Sequence, residues 1–210
     1  MGIPEEPQRR RATLRLGTRE RVRLQTAVII LIVGLLAIAL RPLLIRLIEV
    51  RDFQSCQTNV RKIAQSLGMY AQEWDDTYPS ANVWLDAVRG RMAAITPDRY
   101  LKCPRDKTNS PSSYTYNELM AGLSLSVRRD DPEIIARRQT LRRLDRAALV
   151  IEKHGSMDNA HVPLPDWNAV RDQMELPHAM PEPTGSIIFG NGRAWFRSRE
   201  TLDSLAGRRF

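Results

Sequence analysis

Hydrophobic and polar positions divide the chain into regimes of different period. Residues 24–40, LQTAVIILIVGLLAIAL, hold no charged side chain. As a helix they rise roughly 25 Å, slightly short of the ~30 Å hydrocarbon core of a bilayer. Apolar positions beyond Pro42 supply the missing turn. The pattern predicts a membrane-spanning helix over 24–45 with a kink at Pro42, whose ring removes a backbone donor. From Val50 onward the pattern is amphipathic: Val50, Phe53, Cys56, Val60, Ile63, Leu67, Tyr70 and Trp74 recur at spacings of three and four. That is one apolar stripe on a helix. Arg51, Asp52, Gln54, Gln57, Asn59, Arg61, Lys62 and Gln65 make up the other face. The helix is expected to stop at DDTYP, residues 75–79, because a proline disfavours helix in the residue before it and aspartates suit turns. One long helix, half anchor and half spine of a domain, is the expectation.

Shorter elements follow. Val83, Trp84, Ala87, Val88 and Met92 share a face in a predicted short helix over 82–95. SSYTYNEL alternates weakly and predicts a short strand. Residues 132–146 begin with Pro132 at a first helical position and carry Ile134, Ile135, Leu141 and Leu144. AALVIEKHG predicts a strand closing on a glycine, and the proline-rich segment 156–185 a long loop. SIIFGNGRAWF, 186–196, has two apolar arms around Gly190-Asn191-Gly192, the chemistry of a tight hairpin turn. RETLDSLAG predicts a final helical turn. The fold class expected is α+β, a long N-terminal helix packed on a small antiparallel sheet.

Charge adds a direction to this plan. The 210 residues carry a formal net charge of +8, and seven arginines fall within 9–23, directly before the apolar run. Basic residues on one flank of a span stay cytoplasmic. The organisation expected is therefore a basic cytoplasmic leader at 1–23, a transmembrane helix at 24–45 and an extracytoplasmic domain at 46–210. A cleaved signal peptide is the rival reading, with Ala37-Ile38-Ala39 as a small-x-small site, and a buried soluble helix is the other. No nucleic-acid partner is expected, since the arginines cluster beside the apolar run.

The order of apolar anchor, proline, SCQTNVRKIAQSLGMYAQEWDDTYP, KCPRD, SSYTYNE and GSIIFGNGRAWF resembles type IV pilin-like and type II secretion pseudopilin-like proteins. The likeness is to a bacterial subgroup with Cys-x-x-Asn-x-x-x-Ile, Tyr-Ala-x-Asp/Glu, Cys-Pro-x-Asp and terminal His-x9-Asp-Gly motifs. Cys56, Asn59, Ile63, Tyr70, Ala71, Pro79, Cys103, Pro104 and Asp106 match. The resemblance implies a pilin-like fold, a single span in the bacterial inner membrane, and assembly with other pilin-like or secretion-system subunits. The processing site departs from the pattern. Glu20, Arg21 and Gln25 stand where the family has glycine, phenylalanine and glutamate, which predicts a retained leader. The end motif is also altered: His178 is followed by twelve residues before Asn191-Gly192.

Candidate chemistry is sparse. Cys56 and Cys103 fall in the part expected outside the cytoplasm, which predicts a disulfide, with two buried free thiols as the alternative. Their spacing forms no metal motif. His154, His161 and His178 with Asp158 lack zinc-ligand spacing and are expected at the surface or in loops. Glu73, Asp75 and Asp76 are expected to form a solvated helix end rather than a calcium site. Trp74, Trp84, Tyr114, Tyr116, Trp167 and Trp195 are expected to pack, Trp167 fitting a core least well. No nucleophile elbow, P-loop or dinucleotide fingerprint is present, so no enzyme, metal or cofactor is expected. The expected function is a membrane-anchored pseudopilin-like or minor-pilin-like structural component. A membrane-tethered binding module for an extracytoplasmic polymer such as a polysaccharide is the alternative.

Overall fold

The protein is described here from a computed structural model, covering residues 18–92, 96–124, 131–141, 143–178 and 182–206. Most of the basic leader lies outside these residues. The chain divides into two units, 1–46 and 47–210.

Helix α1 runs from Thr18 to Glu73 and contains Pro42, with helix on both sides of it. Within the first unit the apolar side chains from Val22 to Ile45, among them Ile30, Leu36 and Ile38, are exposed. Part of this stretch reaches a mean hydropathy of 2.8 with none of it buried. It is the one helix among the described residues that is long and apolar enough to cross a membrane.

In the second unit α1 changes role, as its stripe predicts. Cys56, Val60, Ile63 and Leu67 are buried within one core that also takes in the strands. The stripe is narrower than expected: Val50 and Trp74 are exposed, while Asp52 and Asn59, assigned to the polar face, are buried. Asn59 is tolerated there because its Nδ2 donates to the Lys102 carbonyl at 2.8 Å, which satisfies a buried donor. The helix stops where the sequence indicates. Asp75 and Asp76 adopt φ of 51° and 54°, the left-handed region that small polar side chains enter most readily. Thr77 then bridges Ser124, and Tyr78 N–H donates to the Leu123 carbonyl at 2.9 Å.

The sheet contains β1 (Ser112–Asn117), β2 (Ala148–Ser156), β3 (His161–Val162), β4 (Thr184–Phe189) and β5 (Ala194–Ser198). Its order is β3-β1-β2-β4-β5. Three pairings are antiparallel, but β3 joins β1 in parallel, so the sheet is mixed rather than purely antiparallel. Helices α2 (Trp84–Arg89), α3 (Pro132–Leu141), α4 (Trp167–Gln173) and α5 (Arg199–Leu205) complete the unit. Of the expected helix over 82–95, Trp84–Arg89 is α-helix preceded by the 3-10 turn Ala81–Val83, and residues 93–95 lie outside the described residues.

The segment read as a loop, 156–185, holds β3 and α4. Asn117 explains β3: its side chain donates to the Ala148 and Leu164 carbonyls at 2.8 and 3.0 Å and accepts from Leu164 and Leu119 N–H. One buried amide with all these bonds made ties the end of β1 to β2 and to the chain beyond β3. Asp166 caps α4 by accepting from Ala169 N–H. Trp167 is buried after all, its ring 5.9 Å from that of Phe189. The β4–β5 hairpin forms with Gly192 at φ 76° in its turn, as the glycine-rich dipeptides require.

Candidate functional site

The core is lined by more than hydrocarbon. Cys56 on α1, Cys103 after the 3-10 turn Pro97–Leu101, Glu152 on β2 and His178 before β4 are all buried. Their sulfur, oxygen and nitrogen atoms lie within 4.8 Å of one another. Cys56 Sγ is 3.5 Å from Glu152 Oε1, Cys103 Sγ is 3.6 Å from His178 Nε2, and His178 Nε2 is 3.6 Å from Glu152 Oε1. The Tyr114 hydroxyl stands 3.6 Å from Cys56 Sγ.

Glu152, Cys103 and His178 are each fixed from behind. Glu152 Oε2 accepts from Ser186 N–H at 3.1 Å and from Ser186 Oγ at 2.7 Å, leaving Oε1 for the cluster. Cys103 N–H donates to Ser113 Oγ at 2.9 Å, and that hydroxyl donates to Asp106 Oδ2 at 2.6 Å. Asp106 also accepts from Thr108 N–H, Thr108 Oγ1, Ser110 Oγ and Gly155 N–H, so the Cys-Pro-x-Asp step is a clamp on the sheet. His178 exchanges backbone bonds with Thr184 and meets the Phe53 ring edge-on at 5.4 Å.

His154 connects the cluster to solvent. Its Nε2 lies 3.4 Å from Glu152 Oε1 and its Nδ1 3.6 Å from Glu175 Oε2. With Ile48, Asp52, Arg105, Lys107 and Glu175 it lines a cleft of ≈ 630 Å³. Burial opposes ionisation of Glu152, but the neighbouring His154 and His178 imidazoles and the Ser186 hydroxyl hold the carboxyl at about 2. Burial likewise works against charge on the imidazoles, yet Cys103 and Glu152 raise His154 to about 10 and His178 to about 9. Contact with Cys56, then burial, pushes the Cys103 thiol up.

The expected disulfide is corrected here. Cys56 and Cys103 are free thiols in one buried cluster, not a bonded pair. Each sulfur has other neighbours, Tyr114 and Glu152 for Cys56 and His178 for Cys103. The histidine expectation is corrected as well: His178 is buried and His154 is turned to the cluster. His161 is exposed beside the Asn159 carbonyl, and Asp158 pairs with Arg89 at 2.9 Å. Glu20, Arg21 and Gln25 are exposed on α1, and Asn191-Gly192 occupies the β4–β5 turn. Glu73, Asp75 and Asp76 are exposed, with Glu73 pairing to Arg91. Trp84, Tyr114 and Tyr116 are core residues, whereas Trp74 and Trp195 are exposed.

Comparison with known protein families, curated proteins and solved structures returns no match.

Proposed function

We propose that this chain is a single-span, pilin-like structural subunit of a bacterial inner-membrane assembly of the secretion or pilus type, acting by packing rather than catalysis. One observation carries the reading: the unburied apolar part of α1 continues, without a break in helix, into a stretch whose stripe is buried in an α+β domain. The motif order Cys56-x-x-Asn59, Cys103-Pro104-x-Asp106 and His178 supports it. In such a subunit the anchor is the association surface, because helix contacts within a bilayer rest on packing and on small residues such as Gly34 and Ala37. Gln25 replaces the acidic side chain that would pair with a neighbour's amine, so this chain contributes a neutral hydrogen-bonding group at that depth. Photo-crosslinkers placed at Leu36 and Ile38 of the full chain, in membranes of the native host, test the proposal. Adducts identified by mass spectrometry as single-span proteins of the same helix-plus-domain plan are the expected result. Adducts to lipid alone would overturn it.

A further inference from the structure

The strongest unexplained feature is a carboxylate, two thiols and an imidazole buried together. An ionised Glu152 deep in a core is costly unless every lone pair is used. Ser186 satisfies Oε2 completely. Oε1 has only long contacts: the Cys56 thiol at 3.5 Å, and imidazole nitrogens at 3.4 and 3.6 Å, beyond the usual 2.7–3.2 Å of an N–H···O bond.

The same separations fit a different bond. Zinc held tetrahedrally, with sulfur at about 2.3 Å and nitrogen or oxygen at about 2.0–2.2 Å, places its ligand atoms roughly 3.3–3.8 Å apart. The observed edges are 3.5 Å for Cys56 to Glu152, 3.6 Å for Cys103 to His178 and 3.6 Å for His178 to Glu152. The widest pair, within 4.8 Å, needs to close by about an ångström. Two thiolates with one imidazole and one carboxylate suit zinc rather than calcium or magnesium, which prefer all-oxygen shells. The outer contacts are also those of a metal centre, where ligating groups are themselves hydrogen-bonded: Ser186 on Glu152, and Ser113 with Asp106 on the Cys103 loop.

From these distances we propose that Cys56, Cys103, Glu152 and His178 form a closed, structural zinc site that fastens α1 to the sheet, with His154 outside the ligand set at the cleft. Four buried protein ligands leave no open position for a substrate. Binding displaces the two thiol protons and takes His178 as the neutral imidazole, so zinc uptake releases protons.

The test uses the full chain in detergent, reduced, stripped of metal by a chelator and titrated anaerobically with cobalt(II), then zinc(II). The expected result is one equivalent of cobalt, with the visible absorption of a tetrahedral thiolate complex, displaced by one equivalent of zinc. Cys103→Ser, Glu152→Gln and His178→Ala should each weaken binding by more than about 100-fold, and Ser186→Ala by about 10–100-fold, as outer-shell changes do. His154→Ala should change it less than tenfold. Circular dichroism identifies variants that fail to fold, and the wild-type titration decides the matter without them. Absence of the thiolate band would overturn the proposal. So would a Cys56–Cys103 disulfide without bound metal in protein isolated from its native compartment without reductant, because a disulfide leaves no thiolate to bind.

Discussion

Asp106 shows how one side chain sets a loop. It accepts hydrogen bonds from Ser113, Thr108 and Gly155 while largely buried. Burial opposes its ionisation, but those bonds outweigh it and hold the carboxyl well below the usual aspartate range. A depressed folded value contributes stability that is present above the unfolded aspartate pKa of ~3.9 and is lost as pH falls below it. Asp106→Asn should therefore cost about 1.5–3 kcal/mol at neutral pH. Compared in metal-free form, its stability should fall less steeply than that of the wild type on acidification below about pH 4, by chemical denaturation at several pH values. Gly190 is constrained differently. A Cβ there would run into the Leu144 backbone carbonyl, which cannot swing aside, while the Tyr78 hydroxyl donates to the Gly190 carbonyl. Gly190→Ala should cost about 3 kcal/mol, and Gly192→Ala about 1–2 kcal/mol because its left-handed turn has open space around it. Thermal unfolding that ranks Gly192→Ala as the worse would contradict this packing. At this scale the cluster was not legible in the sequence. Cys56 on α1, Glu152 on β2, and Cys103 and His178 in connecting segments lie far apart along the chain, with no local spacing, and only the pairing of β2 with β1 and β4 sets Glu152 opposite Tyr114 and near Ser186.

Among the elements, α1 was the most legible because its two halves obey different rules. An apolar run without charges reads from length and composition alone, and a stripe at spacings of three and four demands a surface to pack on. The stability effects should divide the same way. Leu67→Ala, at a site 1% exposed, should cost the domain about 2–5 kcal/mol through lost transfer energy and a residual cavity. Leu36→Ala, 57% exposed, should leave unfolding of the domain within about 0.5 kcal/mol of wild type. Denaturation of the full chain in detergent, followed by the fluorescence of buried Trp84, distinguishes the two, and equal losses would show that the halves unfold as one unit. The hairpin was legible because turn chemistry is local: Asn191 Oδ1 accepts from Arg193 N–H at 3.0 Å and Gly192 supplies the positive φ. What escaped was short or non-local. Strand β3 is two residues long and exists through its pairing with Tyr116 and Asn117, and α4 spans seven residues, too few for a period to emerge. Asn59 misled for a related reason, since a polar residue reads as solvent-facing until its partner, here the Lys102 carbonyl, is known; Asp52 is buried with only the neighbouring Arg51 as its ion pair.

For the whole molecule, the proposed span raises the question of which side of a membrane residues 47–210 would occupy. Seven arginines lie in 9–23, against Arg41, Arg46 and Arg51 at the far end of the apolar run. Basic residues near a span bias its orientation by their excess on one side, and each arginine carried to the bilayer centre costs ~2.5–3.5 kcal/mol even on the milder insertion scale. The leader should therefore stay in the cytoplasm and residues 47–210 should emerge on the opposite face. A fusion after Phe210 to a reporter active only outside the cytoplasm should be active, and its cytoplasmic counterpart silent. Replacing Arg9, Arg10, Arg11, Arg15, Arg19, Arg21 and Arg23 by glutamine leaves Arg41, Arg46 and Arg51 as the dominant basic cluster, so the reporter pattern should weaken or invert. If the wild-type fusion works only with the cytoplasmic reporter, the orientation argued from charge is wrong, and the domain would have to assemble in a reducing compartment where its two thiols stay free without a metal to protect them.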